Sequence, residues 1–304
     1  MTASVRLVIW PIIAASLGVA SFTIMDAFMK NAGLAIGAYN ALLWRGMLST
    51  AITGVIFASM RHPWPAPHVL QIHLKRSVVV AGMALSWFWA IIRLPLAEAI
   101  AISFIAPLIA LYFAAVLLKE NIRTGAILGS VMGLGGVAVI IAFRVNADVA
   151  NAQYSEAETI WGIAAVLLSA VLFAYNLVLA KLQAMVAKPL EITFFQNMLV
   201  TSIFACAAPW FAVAPADIAV WTMIGGASLL SMLSLLLLSW AYARAEAQTL
   251  IPMEYTAFVW AALFGWLMFD EDVTRATLAG TVLIITGCIL ATRTARGQKR
   301  GQAQ

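Results

Sequence analysis

The chain of 304 residues predicts an all-α integral membrane protein, with ten transmembrane helices arranged as a five-plus-five inverted repeat. Three observations carry that expectation. Apolar residues make up 63% of the chain and charged residues 10%, where a soluble domain carries about 25% charge. The apolar residues fall in runs of about 20 between short polar breaks, the length a helix needs to cross a bilayer. Finally, residues 1–152 and 152–303 repeat one pattern at a constant offset of 151.

The repeat is read residue by residue. Ile9-Trp10 returns as Ile160-Trp161, Lys30 as Lys181, and Thr50 and Ile52 as Thr201 and Ile203. Trp89-Ala90-x-x-Arg93 returns as Trp240-Ala241-x-x-Arg244, and Glu120, Gly129 and Gly136 as Glu271, Gly280 and Gly287. The repeats are taken as 1–150 and 151–304. Five spans per copy make the second copy enter the bilayer in the opposite orientation. That architecture suits transporters, because two related halves can open alternately to the two sides around a site at their interface.

Charge sets the topology. With the N-terminus inside, thirteen Lys and Arg residues fall on the cytoplasmic side, from Arg6 to Arg300. The outer side holds four: Lys30, Arg93, Arg144 and Arg275. This positive-inside bias puts both termini in the cytoplasm of a multi-pass inner-membrane protein. The net charge of +5 follows that topology and does not point to nucleic acid. No cleavable leader is read at the start, because the first apolar stretch outruns a signal-peptide core.

The spans are expected at 7–29, 36–60, 77–94, 97–118, 124–143, 158–182, 190–213, 218–242, 247–268 and 274–293. Span 1 has Trp10 at its entrance, carries Asp26 and is followed by Lys30; span 2 carries Arg45. A charge at mid-bilayer is costly, and an Asp26–Arg45 pair between helices 1 and 2 is sterically feasible. Direct contact of either residue with a solute is the other reading. The segment 61–76, with His62, His68 and His73, reads as a polar inner loop. The histidine spacing does not suit zinc. Span 3 ends at Trp87 and Trp89, residues that favour the interface belt. Arg93 and Glu98 flank the next turn as an expected surface pair.

Span 4 is rich in small residues, which permit close helix approach. Its Pro107 removes a backbone donor and disturbs the carbonyl of Ser103. Span 5 carries Gly129, Gly133, Gly135 and Gly136, read as packing residues. The stretch 144–157 joins the repeats outside the membrane. Span 6 opens at Trp161 and holds Tyr175-Asn176 deep in its apolar run, where a hydroxyl and an amide need partners. Cys206 in span 7 and Cys288 in span 10 read as small core residues rather than a disulfide or metal pair. Span 9 carries Pro252, Glu254 and Tyr255. Asp270-Glu271-Asp272 then precede span 10, where a helix start favours acidic residues.

These features together resemble the EamA-type half of the drug/metabolite transporter superfamily. The segment 97–142 shows the small-residue helix with Pro107, then Glu120, then the glycine-rich helix; PMEYTAFVWA from Pro252 opens the second copy. FTIMDAFMK and LLWRG also match. One departure is that Phe258 stands at the repeat position of Pro107. The resemblance implies ten helices around a central cavity and transport of small metabolites. The expected activity is export of amino acids, aromatic ones included, by alternating access, similar to YddG-type exporters. Uptake of a cofactor-like solute such as S-adenosylmethionine or riboflavin is the alternative, and a channel-like facilitator the third.

Substrate contacts are expected from Ser103, Tyr175, Asn176, Glu254 and Tyr255, with Pro107 and Pro252 bending helices 4 and 9. Glu254 is open to protonation, to a substrate amine or to a neighbour such as Gln248. No enzyme constellation such as His-Glu-x-x-His occurs in a span, and no phosphate-binding loop suggests ATP drive. The expected partners are a small-molecule substrate and the lipid bilayer, without cofactor, metal or nucleic acid. Proton coupling stays open, as do monomer and homodimer.

Overall fold

The computed structural model describes residues 3–60, 64–106, 109, 112–113, 124–146, 155–184, 186–242 and 256–287. Among the described residues all regular structure is helical. The helices are α1 (Ala3–Ile36), α2 (Ala38–Ser59), α3 (Pro67–Ile91), α4 (Leu96–Ser103), α5 (Thr124–Asn146), α6 (Glu156–Ala184), α7 (Pro189–Phe211), α8 (Ile218–Tyr242), α9 (Thr256–Phe269) and α10 (Arg275–Gly287). Six of them, α1, α2, α3, α6, α7 and α8, are long and apolar enough to cross a membrane. Shorter apolar helices lie within α5, α9 and α10. Trp10, Val55, Trp161, Leu236, Trp266 and Val282 are exposed. An outward apolar surface of this kind suits hydrocarbon, where every backbone group must be satisfied within its own helix.

The breaks have local causes. Gly37 ends α1 at φ 80°, and its N–H bonds the Gly33 carbonyl at 2.8 Å. Glycine takes that left-handed conformation without penalty. Helix α3 begins at Pro67 after the extended Ala66, and α7 at Pro189 after the extended Lys188. Proline is favoured at a first helical position, where its missing N–H is one of the orphans anyway.

Helix α3 therefore starts ten residues before the expected span. His68 and His73 lie on a helix and not in a surface loop; His62 is outside the described residues. The polar stretch misled because His68, His73, Lys75 and Arg76 read as a loop composition. Two further expectations are corrected. Cys206 is exposed on α7 instead of lying in the core. Glu98 is buried and its Oε1 accepts the Thr277 hydroxyl at 3.4 Å, while Arg93 lies over the Trp89 ring at 3.7 Å.

Helix α1 packs along α8, α3 along α6, and α2 along α7. All three pairs run antiparallel. A Cβ on Gly18 would meet Leu238 and one on Gly226 would meet Phe28, so opposite ends of α1 and α8 touch. Ser169 donates to the Met83 carbonyl and Arg76 to Asn176 along α6 and α3. Between α2 and α7, Tyr39 reaches Phe204, Thr50 lies 3.3 Å from Thr201, and Phe57 stacks on Phe194. Helix α4 packs against α9 and α6, with residues Leu96 to Ile102 all buried. Gly136 and Gly280 bring α5 and α10 together so closely that a Cβ on either would stand 2.5–2.6 Å from the other's carbonyl oxygen.

Candidate functional site

At one end of the bundle, α1, α3–α4 and α9–α10 are tied by a single buried ion pair. Lys30 Nζ donates to Glu271 Oε1, with side chains 0% and 4% exposed. It also donates to the Leu94 carbonyl at 2.7 Å and sits 4.9 Å from the Phe269 ring centroid. Glu271 Oε2 accepts the Leu96 N–H, at the start of α4, at 2.7 Å. The preceding turn aims this carboxylate inward. Asp270 adopts φ 55° and its N–H bonds the Trp266 carbonyl, a left-handed helix end that aspartate tolerates. Gly265 leaves the space: a Cβ there would be 2.9 Å from Glu271 Oε2. Acidic residues favoured by a helix start do not account for Glu271, whose carboxylate holds both Lys30 of α1 and the Leu96 N–H at the start of α4.

Deeper in the bundle lie the charged residues of α1 and α2. Asp26 is buried, and its Oδ1 accepts the Trp87 indole N–H at 3.2 Å. Trp87 thus turns inward from α3. The Arg45 guanidinium lies 5.7 Å from the Phe88 ring centroid, and its buried Nε has no hydrogen-bond partner. The Arg45 carbonyl accepts the Ser228 hydroxyl of α8 at 3.4 Å. Among the described residues the short ion pairs are Lys30–Glu271 and His73–Glu191, and Asp26 and Arg45 do not close to contact.

The opposite end carries a chain of polar side chains across α3, α6 and α7. Arg76 Nε donates to Asn176 Oδ1 at 2.8 Å, and Arg76 Nη1 donates to Gln183 Oε1. The Gln183 amide bonds His73 Nδ1, and His73 Nε2 lies 3.2 Å from Glu191 Oε1. The imidazole stacks on Phe195 at 5.2 Å. Charged and amide groups so far inside a helix bundle are hydrogen-bonded because their desolvation is otherwise uncompensated.

Of the expected substrate contacts, Asn176 is buried and engaged by Arg76. Tyr175 is exposed, with its ring edge-to-face against Phe113 at 6.0 Å. Ser103 donates within α4 to the Ile100 carbonyl at 2.8 Å. Glu254, Tyr255, Pro107 and Pro252 lie outside the described residues. Composition did not reveal the Lys30–Glu271 tie or the His73–Glu191 chain. The recurrence of Lys30 and Glu271 in the repeat was the one available signal for the first.

A bundle of apolar helices with paired charges inside it and an apolar exterior defines a multi-pass membrane protein, and its likeness to known proteins gives the class. The EamA-like transporter family model matches residues 9–142 and again 160–293. The chain belongs to that family. It is 27% identical over 281 residues to the pseudopaline exporter of Pseudomonas aeruginosa, covering 91% of this chain and 94% of that protein. It is 23% identical to the riboflavin transporter of Brucella anthropi, covering 75% and 78%. With the S-adenosylmethionine uptake transporter of Rickettsia bellii it shares 25% identity, covering 70% and 69%. A solved crystal structure superposes with a TM-score of 0.61 at 19% identity, covering 93% of this chain and 97% of the other. That likeness concerns the fold.

Proposed function

We propose that this protein is a secondary transporter of the inner membrane that exports amino acids and related amphipathic metabolites by alternating access. Its ten spans form a five-plus-five inverted repeat, 1–150 and 151–304, with both termini cytoplasmic. The observation that carries the reading is the α2–α7 contact. Thr50 and Thr201 are 151 residues apart in sequence and 3.3 Å apart in space, on helices that run antiparallel. A two-fold axis in the membrane plane would put repeat mates together in this way. The helix pairs α1·α8 and α3·α6 exchange under the same offset. The two family matches also start 151 residues apart, at 9 and 160.

In this reading the Lys30–Glu271 tie closes one end, and Ser103, Tyr175, Asn176, Glu254 and Tyr255 line the path. Pro107 and Pro252 bend helices 4 and 9. Export is favoured by the pseudopaline exporter, which matches over most of both chains. The second reading, uptake of a cofactor-like solute, is favoured by the riboflavin and S-adenosylmethionine relatives. A competition screen in proteoliposomes, with amino acids and cofactors and with and without an imposed proton gradient, separates the two. Saturable flux competed by amino acids supports export of that class; flux competed by riboflavin and not by amino acids rejects it.

A further inference from the structure

We propose that Asp26 and Arg45 form a recognition site for a zwitterionic α-amino-acid headgroup, with Arg45 taking the carboxylate and Asp26 the ammonium. The proposal rests on the amino-acid reading above and sharpens it to a chemical group.

Two opposite charges inside a low-dielectric bundle attract strongly. An ion pair built for stability closes to contact, as Lys30 and Glu271 do. Asp26 and Arg45 do not. Among the described residues Asp26 takes only the Trp87 indole N–H, while the Arg45 guanidinium rests over Phe88, the next residue of α3. Among the described residues Arg45 donates no side-chain hydrogen bond, and its Nε is buried without a partner. A guanidinium has five donors in a fixed fork that matches a carboxylate. Leaving the buried Nε unpaired at membrane depth is costly. A solute that brings a carboxylate removes that cost.

Asp26 supplies the complementary half. Trp87 occupies Oδ1, so the other oxygen is open to an ammonium. Trp87 and Phe88 are consecutive on α3, so one helix turn positions both charged groups. The residues come from α1, α2 and α3, with Ser228 of α8 fixing the α2 backbone at Arg45. Neither charge has a counterpart in the other repeat, where Leu177 and Gln196 stand at the matching positions. A polar pair present in one repeat only suits a substrate that is itself asymmetric.

The test uses full-length protein in proteoliposomes and the exchange of radiolabelled phenylalanine. The competitors are phenylalanine, phenethylamine, which lacks the carboxylate, and 3-phenylpropionate, which lacks the amine. Wild type should prefer phenylalanine over either by roughly 10- to 100-fold, the effect of one charge-assisted hydrogen bond. Arg45→Gln should erase the preference over phenethylamine and keep that over 3-phenylpropionate. Asp26→Asn should do the reverse. Arg45→Lys keeps the charge and should retain part of the preference, which covers the case of a poorly folded Arg45→Gln. Equal competition by phenethylamine in wild type overturns the site, as does an unchanged preference in Arg45→Gln or in Arg45→Lys and Asp26→Asn; phenylalanine flux would then still support amino-acid transport. Riboflavin flux with no saturable flux of phenylalanine, methionine or S-adenosylmethionine overturns both proposals.

Discussion

Glu271→Gln is the substitution that most directly probes the tie at the end of the bundle. It leaves an oxygen to accept the Leu96 N–H but removes the charge beside Lys30, whose side chain is fully buried. The ammonium keeps the Leu94 carbonyl and the Phe269 ring, so it is not stripped of all partners. Breaking one side of a buried ion pair costs about 3–5 kcal/mol. If the whole loss falls on the closed arrangement, the open one gains by roughly a hundred- to several-thousand-fold. Ala97, buried at 5% exposure just beneath Leu96, reports on that opening. In a background with Cys206 and Cys288 replaced, an Ala97→Cys side chain should react with an impermeant maleimide at least about tenfold faster when Glu271→Gln is added. The double variant Lys30→Met/Glu271→Leu should recover most of the thermal stability, because apolar replacements leave no unpaired charge. Unchanged labelling together with unchanged stability would refute a closing role for the pair.

Other outcomes follow from the same contacts. Gln183→Leu leaves Arg76 and His73 each short of a buried partner and should cost about 3 kcal/mol, read by denaturation in detergent. Gly136→Ala should cost about 1–3 kcal/mol, because its methyl would stand 2.5 Å from the Gly280 carbonyl oxygen. Gly135→Ala should be nearly neutral, since its nearest neighbour is Leu283 at 3.6 Å; equal effects would contradict the packing account. Lys181 and Glu120 hold the repeat positions of Lys30 and Glu271. Under the inverted-repeat reading, Glu120→Gln should lower the outward reactivity of the Ala97→Cys reporter instead of raising it. Reporter fusions at Gln304 and near Ala150 should read inside and outside respectively, and a C-terminus outside would reject the five-plus-five topology.

Much of the fold was legible because a bilayer imposes a simple rule on each segment. Runs of about 20 apolar residues place helices, and the structure's long apolar helices fall on them. Gly37 and Pro189 mark boundaries through local backbone preference. Helix α3 was misread by ten residues because its first turns are polar, although Pro67 was a usable start signal. The site was less legible for a different reason. Lys30 and Glu271 are 241 residues apart, and a sequence does not show which distant side chain will meet a charge at the end of an apolar run. The interior charges Asp26 and Arg45 were singled out by their cost in hydrocarbon, but their geometry depends on Trp87 and Phe88 from a third helix. His73 and Arg76 were hidden by the same misreading that shortened α3.

The chain from Asn176 to Glu191 also fixes where a proton sits. Arginine has no acceptor, so the Gln183 atom facing Arg76 is its oxygen, and the amide nitrogen must face His73 Nδ1. That ring nitrogen is then a lone pair, and the mobile hydrogen of the imidazole belongs to Nε2, pointing at Glu191. The other tautomer, with its hydrogen on Nδ1, would set two N–H groups facing each other while Gln183 keeps its orientation. Rotating the amide by half a turn would only move the conflict to Arg76. Glu191 and Arg76 are the charged groups bounding the ring's network among the described residues, one touching it and one acting through the amide. Tautomer choice in α3 is thereby dictated by a guanidinium on the same helix acting through α6.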